Sequence, residues 1–165
     1  MTLGKVIADT RRALSGDPAT GQVAFSTVST LTGTTRVDVR TGRHSFTVDE
    51  PWSLGGGGEA ASPVQYALAA LGSCQAITYR FWAELLGIRF DKLTVQVDGD
   101  LDLRGFLGVG DGVRPGFQDV RIQVDIAGPE PAERYQELAA AVSEHCPVLD
   151  LFENPVPVTC TTLAG

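Results

Sequence analysis

The sequence lacks most of the features that mark secreted, nucleic-acid-binding or membrane proteins. Its 165 residues contain only three cysteines, an odd number that does not make a disulfide framework. Acidic residues outnumber Lys and Arg by 20 to 13, and without a basic stripe a net charge of -7 repels phosphate backbones. The first dozen residues carry charges and no apolar signal-peptide stretch. We therefore expect a cytoplasmic, reducing location, with neither nucleic acid nor a membrane as a partner.

Several common catalytic and binding motifs are also missing. No CxxC or HxxxH spacing connects the cysteines and histidines, so the sequence does not predict a zinc site. The four glycines from Gly55 to Gly58 lack the GxxxxGK[ST] pattern of a phosphate-binding loop and predict a flexible linker. No GxSxG elbow surrounds a serine. Neither a metal nor a cofactor is expected.

The dominant feature that is present is the stretch from Ser62 to Ile88, which predicts one long, nearly charge-free helix with Gly87 as its C-terminal stop. It opens with a hydroxyl at the N-cap position, Pro63 at the first helical position and Gln65 three residues after the cap, which is a capping-box start. From Ala60 to Tyr79 the chain has no charged residue. Such a helix is predicted to lie in a core. A membrane span is not predicted, because polar residues interrupt the run and no second run exists.

The remaining elements predict a single α+β domain in which antiparallel sheets pack on this helix. The predicted order begins with a helix and connector at 1–21 and a three-stranded meander at 22–50, followed by the helix-containing remainder at 60–165. The remainder contains strands at 93–97 and 117–127, helices at 129–143 and after Cys146, and a closing strand with Val156, Val158 and Cys160 in its core-facing phase. Because so apolar a helix needs more cover than one chain supplies, we also expect a homodimer.

The cysteines are the strongest candidates for chemistry, and local reasoning leaves their roles open. Cys74 lies in the middle of the apolar helix, where the surroundings raise a thiol pKa, so it would need a cation from elsewhere to be reactive. Arg36, Arg40 and Arg43 are the upstream candidates. Cys146 precedes Pro147 at a predicted helix N-terminus, where the dipole favours a thiolate, so local electrostatics prefer Cys146 as the more acidic thiol.

Two cysteine contexts together resemble the OsmC/Ohr family of thiol peroxidases. The first runs from Ser62-Pro63-Val64-Gln65 to Cys74, and the second is Glu144-His145-Cys146-Pro147-Val148. Further similarity to the OsmC-like branch lies in Val48-Asp49-Glu50-Pro51, Leu54-Gly55-Gly56 and Arg114-Pro115-Gly116-Phe117. The likeness extends from about the third strand to the end of the chain.

The resemblance implies an intertwined α+β homodimer with its active sites at the interface. It implies that Cys74 attacks an organic hydroperoxide, that Cys146 resolves the sulfenic acid to a disulfide, and that a dithiol reductant, such as a lipoylated protein or another thiol donor, reopens the disulfide. An arginine of an early strand, Arg36 or otherwise Arg40, is expected to stabilise the thiolate. The family's glutamate after the helix-opening proline is absent here, where Val64 and Gln65 stand. An OsmC-like domain that binds a small ligand or acts in stress, with little peroxidase activity, is therefore the alternative.

Overall fold

A computed structural model describes residues 1–164, which cluster into two compact units. The first unit comprises Met1–Ala70 and Val97–Arg121, and the second comprises Leu71–Gln96 and the chain after residue 121. The long central helix and two long strands run through both units. Each unit is therefore built from segments that are distant in sequence.

The first unit contains the predicted N-terminal helix and three-stranded meander. Helix α1 (Leu3–Gly16) is followed by a 3-10 turn at Pro18–Gly21. Strands β1 (Val28–Leu31), β2 (Val37–Thr41) and β3 (His44–Val48) pair antiparallel in that order, which confirms the meander. Strand β1 is shorter than predicted, because its ladder with β2 runs only from Val28 to Leu31.

The central helix α2 (Pro63–Leu86) begins and ends as its sequence predicts. The Gln65 side-chain carbonyl accepts the backbone N–H of Ser62 at 2.9 Å, which is one half of a capping box. Gly87 follows the helix with φ of +63°, a conformation that glycine adopts without steric cost. The helix contributes Tyr79 and Ala83 to a core, as predicted, whereas Ile77 is 60% and Phe81 42% exposed. One apolar face of α2 is thus left uncovered.

The second half of the chain adds a two-stranded sheet and three further helices. Strands β4 (Lys92–Leu101) and β5 (Phe117–Ala127) pair with each other, and the short helix α3 (Leu103–Phe106) lies between them in sequence. Both strands alternate between half-buried and exposed residues, as predicted for sheets with one wet face. Helices α4 (Ala132–His145) and α5 (Pro147–Glu153) complete the fold. The core of the second unit contains Tyr79, Ala83, Ile88, Leu138 and Val142.

The predicted closing strand is not formed. Residues 155–164 have neither helix nor strand structure, and Val158 is 86% exposed. Cys160, predicted to face a core, is exposed. Alternating apolar residues become a strand only when a neighbouring strand supplies the other half of the hydrogen-bond ladder, and no strand in residues 1–164 does so. Among the same residues, no helix is long and apolar enough to cross a membrane.

Candidate functional site

The second unit brings together the two cysteines that the sequence singles out. Cys74 lies in the middle of α2 and is partly buried, whereas Cys146 stands between α4 and α5 and is 2% exposed. Cys146 is close enough to Cys74 to raise the pKa of its thiol. A thiol beside an oxidised cysteine can form a disulfide with it.

The N-terminus of helix α5 influences Cys74. Pro147 is the first residue of α5 and has no N–H, so the first free amide of the helix is that of Val148. This amide favours the charged form of Cys74 and lowers the pKa of its thiol. The preference of local electrostatics for Cys146 as the more acidic thiol stays a prediction. Cys146 is the N-cap residue, but its side chain makes no capping hydrogen bond.

The balance of these surroundings disfavours a thiolate at Cys74. Burial, the largest influence, raises the pKa of the Cys74 thiol, and the neighbouring Cys146 raises this pKa further. The Val148 amide and the Thr78 hydroxyl act in the opposite direction and lower it. The Thr78 hydroxyl lies one helical turn beyond Cys74, where it donates to the Cys74 carbonyl oxygen at 2.8 Å. The net pKa of Cys74 is above its ordinary value, so a reactive Cys74 needs a cation as well.

Arg36 immediately precedes strand β2 in the first unit and is held by three side chains. Its Nη2 donates to Asp38 Oδ1 and to Thr47 Oγ1, both at 3.2 Å. Its Nη1 forms an ion pair with Glu59. Asp38, followed by smaller contributions from Glu59, raises the pKa of the Arg36 guanidinium, so this group remains charged at any physiological pH.

Arg40, the other predicted arginine, is exposed on β2, with its backbone opposite Val28 and Ser45. No resolved hydrogen bond or ion pair joins the Arg40 guanidinium to an acidic side chain, whereas Asp38 and Glu59 orient Arg36. Arg36 is therefore the better oriented of the two candidate cations. That either arginine acts on Cys74 remains a prediction.

Glu59 is a site residue that sequence reasoning did not find. It follows the four glycines directly and is the last charged residue before the apolar helix. The family's glutamate is absent at Val64 and Gln65, and Gln65 caps the helix instead. The loop before the helix supplies a carboxylate to Arg36 from a different sequence position. The signal available in the sequence was an isolated acid after a glycine run.

A cavity of about 320 Å³ surrounds this ion pair within the first unit. It is lined by the turn before β2 and by the glycine loop, including Arg36, Asp49 and Glu59. Among residues 1–164, no three histidine, cysteine or acidic side chains are grouped closely enough to hold a metal ion.

Structural comparison finds several solved proteins of the same fold. An OsmC-like protein from Mycoplasma pneumoniae is similar with a TM-score of 0.70 and 17% identity, over 80% of this chain and 89% of that one. A Legionella pneumophila protein described as an organic hydroperoxide resistance protein OsmC matches with a TM-score of 0.60 and 22% identity, over 79% and 91% of the two chains. An organic hydroperoxide resistance protein from Elizabethkingia anophelis matches with a TM-score of 0.61 and 20% identity, over 79% of this chain and 88% of that one. At these identities the likeness establishes the fold.

Sequence comparison adds a family assignment. No curated protein sequence matches the chain significantly. The family model described as OsmC-like protein matches residues 56–161, which include the whole of α2 and both cysteines of the thiol pair. Together with the α+β architecture and the antiparallel sheets, this match shows that the chain belongs to the OsmC-like protein family.

Proposed function

We propose that this protein is a cysteine-based peroxidase that reduces organic hydroperoxides to alcohols. The observation that carries the proposal is the proximity of the two cysteines, Cys74 and Cys146, with the first free amide of α5 near enough to lower the pKa of the Cys74 thiol. Membership of the OsmC-like family and the two structural neighbours named for organic hydroperoxide resistance support the same chemistry.

The proposed reaction has three balanced steps. The Cys74 thiolate attacks one peroxide oxygen, the O–O bond breaks, and the alkoxide takes a proton to leave as an alcohol. Cys74 is thereby oxidised to a sulfenic acid. The Cys146 thiol then attacks the Cys74 sulfur, and water leaves as the disulfide forms. A dithiol reductant, such as a lipoylated protein or another thiol donor of the cytoplasm, reduces the disulfide and is itself oxidised to a disulfide.

The roles of the two cysteines follow from their positions. Cys74 is the more exposed of the two thiols, so it is the sulfur that a peroxide can reach. Cys146 is buried beside it, which suits a resolving thiol that reacts only with its neighbour. Arg36 is proposed to lower the pKa of Cys74, and Glu59 and Asp38 to hold its guanidinium.

Counting free thiols after a single turnover tests this function. Reduced protein treated with cumene hydroperoxide is expected to lose two thiols per chain, and hydrogen peroxide is expected to cause the same loss more slowly. The count is made with a chromogenic disulfide reagent in denaturant after removal of excess peroxide. Unchanged counts under excess organic hydroperoxide would refute the peroxidase and favour the alternative, an OsmC-like ligand-binding or stress-related domain.

Replacing Arg36 with glutamine is expected to slow this reaction at neutral pH. An opposite charge within ~4–6 Å lowers a pKa by about one to three units, so its removal raises the Cys74 pKa and reduces the thiolate fraction at pH 7 by about tenfold or more. The loss is expected to disappear at high pH, where the thiol ionises without help. The measurement is the rate of iodoacetamide alkylation of Cys74 against pH, in protein whose other two cysteines are serine.

Arg40→Gln is the matched comparison for that experiment, because it removes the same charge from β2, the strand that Arg36 immediately precedes. We expect a smaller shift of the alkylation profile than with Arg36→Gln. An equal or larger shift with Arg40→Gln would transfer the proposed role to Arg40. If neither variant moved the profile, an arginine from this strand would not stabilise the thiolate.

We also propose that the active form is a homodimer. Ile77 and Phe81 on α2 and Leu151 on α5 expose apolar side chains, and a second copy of the chain offers them the same apolar chemistry. Light scattering is expected to give twice the 17.5 kDa mass of one chain. Ile77→Glu should weaken the dimer, whereas Gln136→Glu, the same charge change at an exposed position of α4, should not. A monomeric wild type would overturn the proposal.

A further inference from the structure

We infer that Asp49 is a positioning residue for the ion pair between Arg36 and Glu59, through which it sets the reactivity of Cys74. The inference rests on the proposed function, since it assigns Asp49 an effect on the same thiol. The Asp49 carboxylate has no resolved hydrogen bond to a cysteine or to the Arg36 guanidinium.

Asp49 is 2% exposed, and both of its carboxylate oxygens are saturated with donors. Oδ1 accepts the Thr35 hydroxyl at 2.6 Å and the Glu50 amide at 2.9 Å. Oδ2 accepts the amides of Gly57 at 3.0 Å and Glu59 at 3.2 Å. These bonds, of which the one from Thr35 has the largest influence, hold the pKa of Asp49 below its ordinary value, so the side chain is an anion at neutral pH.

The four donors connect the two chain segments that carry the ion pair. Thr35 directly precedes Arg36, and Glu59 is bonded to Asp49 through its own backbone amide. Arg36 and Glu59 lie 23 positions apart in sequence, so no local structure fixes their separation. Because one carboxylate binds both segments, it determines where the Glu59 side chain starts relative to Arg36.

The glycine loop is folded tightly around this carboxylate. The Gly56 amide donates to the Pro51 carbonyl and the Gly58 amide to the Glu50 carbonyl. A methyl group on Gly56 would lie 1.8 Å from the Glu50 carbonyl oxygen, so only glycine permits this closure. The run of glycines, read from the sequence as a flexible linker, is instead a closed loop that holds Glu59 in place.

Asp49→Asn tests the inference with almost no change of shape. The amide nitrogen of asparagine cannot accept a hydrogen bond. If this nitrogen replaces Oδ2, the Gly57 and Glu59 amides lose their acceptor; if it replaces Oδ1, the Glu50 amide loses its acceptor. We expect the rate of thiol loss with cumene hydroperoxide at pH 7 to fall about tenfold or more, since small displacements of positioning groups have effects of that size. We also expect the pH profile of Cys74 alkylation to move to higher pH. Glu59→Gln, which removes the charge that pairs with Arg36, is expected to move this profile in the same direction.

Combination with Glu59→Gln separates positioning from general destabilisation. If Asp49 acts through Glu59, the double variant should be no slower than the slower single variant, within about twofold, because coupled residues are not additive. Asp111→Asn removes an exposed carboxylate of the same unit and should leave the rate within about twofold of wild type. Multiplicative losses, or a folded Asp49→Asn protein with wild-type rate and profile, would overturn the inference.

Two further measurements keep the test decisive. If Asp49→Asn does not fold, Thr35→Val replaces it, because this variant removes one hydrogen-bond donor and keeps the Asp49 charge. We expect a smaller fall in the rate of thiol loss. An unchanged rate would count against the inference. Amide hydrogen exchange of Gly57 and Glu59 reports the loop directly, and both should exchange faster in Asp49→Asn. A wild type without peroxide reactivity refutes the proposed function and with it the effect on Cys74, whereas unchanged amide exchange refutes the positioning itself.

Discussion

Serine in place of Cys74 is expected to abolish the peroxide-dependent loss of thiols, with the rate falling by about a thousandfold or more. A serine hydroxyl is a far weaker nucleophile than a thiolate, and removal of a catalytic nucleophile has effects of that order. The surroundings add a reason, because the Val148 amide favours the charged form of Cys74 and Cys146 lies near it. Stopped-flow mixing of reduced protein with cumene hydroperoxide, followed by thiol counting, measures the effect.

Cys146→Ser should behave differently from Cys74→Ser. Peroxide attack would still occur, but the sulfenic acid of Cys74 would accumulate and could be trapped by a carbon nucleophile such as dimedone and detected by mass. Cys160→Ser is the control, since Cys160 is exposed in the tail and is predicted to have no role in the reaction. Trapping of a sulfenic acid on Cys146 in Cys74→Ser would reverse the two roles.

Truncation of Leu138 to alanine is expected to destabilise the fold by about 2–5 kcal/mol. Leu138 is completely buried on α4, in the cluster that joins this helix to the second half of α2 through Tyr79 and Ala83. Removing its side chain leaves a cavity in close-packed surroundings that relax only partly. Urea denaturation monitored by circular dichroism gives the change in the free energy of unfolding.

Gln136→Ala on the same helix is the matched control for that measurement. Gln136 is exposed, so its truncation should change stability by less than about 0.5 kcal/mol. If Leu138→Ala and Gln136→Ala were equally mild, the cluster would not be the core of the second unit. Because Leu138 belongs to the same unit as both cysteines, thiol reactivity should be compared only under conditions where the variant is folded.

The sequence by itself determined the secondary structure of most of the chain, because the signals for these elements are local. Capping residues and the absence of charge defined α2, and the alternation of apolar and polar residues defined β5. The two cysteine contexts identified the family and the thiol pair. The closing strand was predicted wrongly because alternation in Val156 and Val158 indicates only that a strand is possible. Whether it forms depends on a partner strand, which lies outside the local sequence.

Only the tertiary structure decided how the candidate site is assembled. The first free amide of α5 lowers the pKa of Cys74, on a helix distant in sequence, and Glu59 forms an ion pair with Arg36. Asp49 joins the segments that carry Arg36 and Glu59. Hydrogen bonds and ion pairs depend on the distance and direction between groups in space, and residues far apart in sequence acquire these only when the chain folds.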